Sequence, residues 1–135
     1  MGAWGSGPFE NDDALDAVGE LVDGTFELDD LREALESDYL EAPEGSVALA
    51  LVEIALAALG RTDPAAELDE VDIRLVATQF DDAAYELILR AADRALDPTA
   101  SELFELWEEA GEDELAEWRS TAVASIEQLR AAITD

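Results

Sequence analysis

The stretch Pro43-Glu44-Gly45-Ser46-Val47-Ala48-Leu49-Ala50-Leu51-Val52-Glu53-Ile54-Ala55-Leu56-Ala57-Ala58-Leu59-Gly60 decides the fold. Proline lacks an N–H and is tolerated in the first turn of a helix, where that donor has no intrahelical partner; glycine at the far end supplies a stop. Between the two, apolar residues surround nearly the whole circumference. Such a helix has no face to offer water, so the pattern predicts a central element enclosed by others. The apolar run Val47 to Leu59 is 13 residues long and carries Glu53, well short of the ~20 residues a membrane span requires.

Working outward, the covering elements read as helices punctuated by Gly, Pro and Asp. Toward the N-terminus, Asn11, Asp12 and Asp13 supply capping oxygens and negative charge to a helix start. Leu15, Val18 and Val22 follow at helical spacing, and Gly24 stops them. A short helix from about Asp29 to Ser37 sets Leu28, Leu31 and Leu35 on one face. Toward the C-terminus, Leu68 to Gln79 reads two ways: Val71, Ile73 and Leu75 alternate as in a strand, whereas Leu68, Val71 and Leu75 fit a helix with Glu70 and Arg74 at i,i+4. Helix is preferred, because a lone strand would have no partner. Ala84, Leu87, Ile88, Ala91 and Ala95 form the next stripe, ended by Asp97-Pro98. Thr99 and Glu102 have capping-box spacing ahead of Leu103, Leu106, Trp107 and Ala110, with Gly111 as the stop. Leu115, Trp118, Ala122, Ile126, Leu129 and Ile133 line a terminal helix of about five turns. The expected architecture is all-α: a single compact domain over residues 1–135, with six or seven helices in the body 11–135 and an irregular arm, 1–10, packed over the bundle.

Composition narrows the chemistry. The chain has 135 residues, 49% apolar, with 35 Asp+Glu against 7 Lys+Arg and a formal charge of -28; all the basic residues are arginine, and Cys and His are absent. That apolar content supports a core and excludes a disordered acidic tail. Without Cys or His there is no disulfide, thiolate nucleophile, thiolate zinc site or imidazole base, which removes most enzyme classes. A basic stripe to neutralise phosphates is missing, so direct nucleic-acid binding is not expected. No basic region leads into an apolar stretch at the N-terminus, and the expected location is the cytoplasm. Met1-Gly2 with Ser6 fits a myristoylation pattern, but so anionic a chain would be repelled by anionic lipid, and no membrane association is expected.

Met1-Gly2-Ala3-Trp4-Gly5-Ser6-Gly7-Pro8-Phe9-Glu10-Asn11-Asp12-Asp13-Ala14-Leu15-Asp16 resembles the opening signature of a family of small prokaryotic proteins, domain of unknown function 4259. Ala48 to Glu53 and Ser101 to Glu109 resemble further segments of that family, the first departing from its Ala-rich pattern at Leu51. The resemblance implies an all-helical single domain and brings no activity, cofactor or site residue with it. The absence of Lys together with the acidic excess likewise resembles the proteome of a salt-in halophilic archaeon.

Candidate functional residues are few. Trp4 and Phe9 on the arm are either a recognition pair or, preferably, anchors in a groove between helices. Asn11, Asp12, Asp13 and Asp16 form the densest carboxyl and amide cluster, but they lack the calcium-loop spacing and fan out across a helix start, where capping and solvation suffice. Glu53, if it faces inward, needs hydrogen bonds or an arginine, with the backbone N–H groups around Gly5 and Gly7 as the other candidate donors. Trp107 and Trp118 read as core residues that need not share a face. No catalytic residue, metal ligand or cofactor is assigned.

The favoured function is a non-enzymatic, cytoplasmic protein-interaction module using the arm and the cleft it borders. Two alternatives are a hydrolase that is carboxylate-based or depends on a divalent metal, built on Glu53 and the Asp12, Asp13 and Asp16 cluster, and an acidic inhibitor of the immunity or nucleic-acid-mimic type.

Charge density carries a consequence for folding. A chain of this mass exposes about 7,000 Å², or about one net negative unit per 250 Å². The screening length falls from ~8 Å at physiological salt to ~3 Å at 1 M. Helical ellipticity and melting temperature are therefore expected to climb between low salt and molar KCl. Circular dichroism across that range checks this, and equal stability at both ends would leave the acidity without a solvation role.

Overall fold

A computed structural model describes residues 7–134. The central helix forms as its pattern requires: α3, Ala42–Ala58, follows an extended Glu41, takes Pro43 into its first turn and ends before Gly60, which adopts φ 72°. From Ala48 to Ala57 only Glu53 escapes full burial. The elements that enclose it are α1 (Asp12–Asp23), α2 (Asp29–Ala34), α4 (Ile73–Gln79), α5 (Asp82–Ala95), α6 (Glu102–Ala110) and α7 (Glu112–Thr134), with a 3-10 turn at Ala66–Leu68. All six helices pack directly on α3, and α7 also closes against α5 and α6. The fold is all-α, with one hydrophobic core threaded by α3.

Each flanking helix exists for a local reason. Asn11 Oδ1 accepts the Ala14 N–H at 2.8 Å and caps α1, whose last turn closes onto Gly24 at φ 78°, a conformation glycine adopts without penalty. Asp72 and Asp81 cap α4 and α5 in the same way. Gly45 matters for another reason: a Cβ there would sit 3.3 Å from Leu103 Cβ and 3.6 Å from Ala95 Cβ, so its absence lets α3 approach both α6 and α5.

Several sequence expectations shift in register. Ile73–Gln79 is helical, but the preceding residues are not, so Leu68 and Val71 reach the core from the 3-10 turn and the following loop. Because the helix starts only at Ile73, its inward position is Val76 and Leu75 points to solvent at 52% exposure. In α1 the buried positions are Ala14, Ala17 and Val18, with Leu21 packed beside them, and Val22 falls on the outer edge at 42% exposure. α6 buries Phe104 with Leu103 and Trp107, and Ala110 is exposed. The terminal helix keeps its expected face: Trp118, Ile126 and Leu129 are buried, and Leu115, Ala122 and Ile133 pack against them.

The start of α6 is built differently from the capping box expected at Thr99 and Glu102. Ser101, fully buried, is the N-cap, its Oγ accepting the Phe104 N–H at 3.1 Å, while Thr99 joins a turn made by Asp97. Glu102 does not reach back to its own helix. Its Oε1 accepts the Ala42 N–H at 2.8 Å, satisfying a first-turn donor of α3. An isolated parallel bridge completes the seam, with Leu40 N–H donating to Ala100 O at 2.7 Å and Glu102 N–H donating to Leu40 O at 2.9 Å. Tyr39 adds a phenol that donates to the Glu105 carboxylate; that bond and the surrounding carboxylates hold the phenol protonated to about pH 12.

The position of the cap can be tested directly. Ser101→Ala is expected to cost about 1 kcal/mol, the usual loss for a capping hydroxyl, whereas Thr99→Ala on the exposed turn should stay within about 0.5 kcal/mol. Chemical denaturation of both variants in molar KCl distinguishes them.

Candidate functional site

The N-terminal segment enters the bundle through a short turn. Glu10 N–H donates to Gly7 O at 3.1 Å, and the Glu10 carboxylate accepts the Gly7 N–H at 3.1 Å. Gly7's amide is therefore committed within its own turn. Phe9 is buried in the core, as an anchor would be, and Asn11 donates from Nδ2 to Pro8 O at 3.4 Å while it caps α1. Trp4 lies outside the described residues.

Beside this turn opens a cleft of about 170 Å³. Gly7, Pro8, Asn11 and Asp13 form one side, the first turns of α3 another, and Leu106, Trp107 and Trp118 the far wall. The two tryptophans do meet. Their rings stack at 5.9 Å with an interplanar angle of 13°, and Phe104 stands edge-on to Trp118 at 6.0 Å. Gly111, between α6 and α7, turns the chain so that residues on separate helices face one another, which linear spacing does not reveal. Offset stacks and edge-to-face pairs of this kind add about 0.5–1.5 kcal/mol beyond the area they bury.

The acidic cluster does not converge. Asp12 and Asp16 are exposed on α1, and Asp13 alone lines the cleft, half-buried. Burial, then the neighbouring Asp16 and Asp12, push its carboxyl above the ordinary 3.8. A raised carboxyl is easier to protonate in the folded state, so ionising it opposes folding; that cost grows as pH rises through the window above 3.8 and vanishes below it. The site as built favours an incoming positive charge or donor at Asp13. Among the described residues, no group of three or more His, Cys, Asp or Glu side chains is placed to hold a metal ion.

Glu53 lies on a separate, smaller cavity of about 20 Å³, which shares Pro8, Leu49 and Trp118 with the cleft. Among the described residues its partner is neither an arginine nor the Gly7 amide: Glu53 Oε1 accepts the hydroxyl of Ser125 on α7, and Gly5 lies outside those residues. Ser125 had no local signal, being separated from Glu53 by 72 positions and set among the small residues of a helix. A cavity of this size holds about one water molecule, too little for a substrate.

Taken together, the geometry defines a small all-α domain with one aromatic-walled cleft at its N-terminal seam. The chain belongs to the family DUF4259, a domain of unknown function, whose profile matches residues 2–121. The matched span includes the cleft and Glu53 and leaves Ser125 outside it. Neither a curated protein nor a solved structure matches the chain.

The Ser125 pairing sets an expectation for Glu53. Glutamine keeps an acceptor at Oε1 and strands no buried cation, so Glu53→Gln is expected to stay within about 1 kcal/mol of the parent, the difference between a charge-assisted and a neutral hydrogen bond. Loss of a buried arginine partnership would instead cost about 3–5 kcal/mol. Denaturant midpoints in molar KCl decide between the two values.

Proposed function

We propose that this protein is a non-enzymatic protein-interaction module whose contact surface is the cleft between the N-terminal turn, α3, α6 and α7. The observation that carries the reading is the lining itself: apolar and aromatic walls around about 170 Å³, with Asp13 as the single charged group in it among the described residues. Such a site accepts an apolar side chain with a neighbouring donor or cation, the kind of anchor through which protein interfaces concentrate their binding energy. Its acidity suits a halophile-type cytoplasm, where a highly charged surface keeps the module solvated and long-range attraction is screened, so that contacts inside the cleft must supply the specificity. A hydrolase reading finds less support, because Glu53 sits on a one-water cavity and the Asp cluster contributes only Asp13 to the cleft.

Leu106, half-buried at the cleft wall, is the residue to change. Tagged parent protein purified at molar KCl from cells that express it is expected to retain a stoichiometric protein, which Leu106→Asp releases and Glu53→Gln keeps. That protein, re-expressed and titrated against the pure module, should bind the parent at least about tenfold more tightly than Leu106→Asp, a difference of about 1.4 kcal/mol. Retention of the same proteins by both would remove the cleft from the interaction. Turnover of a small molecule by the parent that Leu106→Asp abolishes would replace the module by an enzyme.

A further inference from the structure

A second opening, between α2 and the first turns of α3, has a different chemistry. It measures about 150 Å³, with Ala17, Phe26, Leu31 and Val47 as its apolar floor, Glu20, Glu27 and Asp30 at its edge and Glu44 beside the floor. It continues past Asp30 and Glu44 into a shallower trough that adds Glu33 and Glu41. No Arg lines either part. The nearby Arg32 is engaged by Asp29, and Arg94 donates to Ser37 O at 2.9 Å.

An acidic rim alone is unremarkable in a chain of charge -28. Glu44 is different. Its Oε2 is buried and without a hydrogen-bond partner, the one such side-chain atom among the described residues. A shielded carboxylate oxygen that accepts nothing is costly, and Glu44 lines both the groove and the trough. A donor arriving there recovers a hydrogen bond the free protein lacks.

We propose that this groove binds an arginine side chain of a partner protein. Guanidinium fits both halves of the site: its planar fork bonds carboxylates in pairs and is weakly hydrated, so it enters a partly apolar opening more readily than an ammonium, and its three-carbon stem lies on the floor formed by Phe26, Leu31 and Val47. Glu44 is the inner carboxylate and Asp30, shared by the groove and the trough, the outer one. The site lies on another face of α3 from the tryptophan-lined cleft and shares only Pro43 with it, so either function can exist without the other.

The test is a titration of the 15N-labelled protein, in molar KCl, with a blocked peptide Ala-Leu-Arg-Ala and with its citrulline counterpart, which keeps the shape and removes the charge. The arginine peptide is expected to give saturable amide shifts at Phe26, Leu31, Glu44 and Val47, leaving the indole signals of Trp107 and Trp118 in place. Glu44→Gln should weaken it by about tenfold, as for loss of a charge-assisted hydrogen bond. Asp30→Asn, on the exposed surface where folding is not at stake, should weaken it too. Equal binding of the citrulline peptide would overturn the assignment in favour of a purely apolar groove. Unsaturable shifts spread over the acidic surface would reduce it to general attraction. Glu44-dependent shifts produced by magnesium chloride alone, with none from the peptide, would make it an inorganic cation site.

Discussion

A helix with no polar face dictates this structure. α3 buries every residue from Ala48 to Ala57 except Glu53, and nothing in its own sequence favours one side over another. Its stability comes from being covered on all sides, since short helices are marginal in water and gain most of their stability from packing. The surrounding helices are consequently unlike it. α1, α5 and α6 are amphipathic, with buried stripes turned toward α3 and carboxylates turned out. Removing volume from α3 would therefore disturb several interfaces at once, whereas changes on the outer faces would disturb one or none.

The shortage of cations imposes a second constraint. With 35 acids against seven arginines, most carboxylates that need a partner must find it elsewhere, and the structure supplies hydroxyls and backbone amides. Glu53 takes the Ser125 hydroxyl, Glu105 the Tyr39 phenol, Glu102 the Ala42 amide and Glu10 the Gly7 amide. The first three join elements distant in sequence, and none requires two charges to be held together, so salt that screens ion pairs leaves them largely intact. The bidentate pair of Arg130 with Asp93, at 2.7 and 2.9 Å, ties α7 to α5, but it is exposed and contributes little. Neutral donors thus serve Glu53, Glu105 and Glu102, while Arg94, donating to Ser37 O, and Arg130 add charged links between elements.

What the sequence discloses follows from how far each signal reaches. The all-α class, the enclosure of α3 and the cap at Asn11 are local properties of spacing and side-chain chemistry, and they are legible. Stripe edges are less so: Leu75 turns outward because α4 starts only at Ile73, and Val22, four residues after the buried Val18, falls on the outer edge of α1 in its last turn. Thr99 has the right spacing for a capping box, but the seam with Leu40 places Ser101 at the helix start and sends Glu102 to another helix. Long-range pairs carry no linear signature at all. The stack of Trp107 on Trp118 depends on the turn at Gly111, and the contact of Glu53 with Ser125 on the crossing of α3 and α7. The cleft is accordingly half legible, through Asn11 and Asp13, and half not, through α6 and α7.

Both openings meet at the first turns of α3, and this follows from the same helix. Successive residues are rotated by about 100°, so Ala42, Ser46 and Leu49 face the tryptophan-lined cleft while Glu44 and Val47 face the α2 groove, and Pro43 borders both. On the remaining side Gly45 is pressed against Leu103 and Ala95, and the Ala42 amide is tied to Glu102. The turn is fixed from that direction and open on the two others. α3 is covered most completely along its middle, where neighbours surround it; at its N-terminal end its first turns line both openings. A helix that must be covered everywhere is least covered there, and the gaps differ in chemistry because they sit on different faces: stacked indoles on one, an unpartnered carboxylate oxygen on the other.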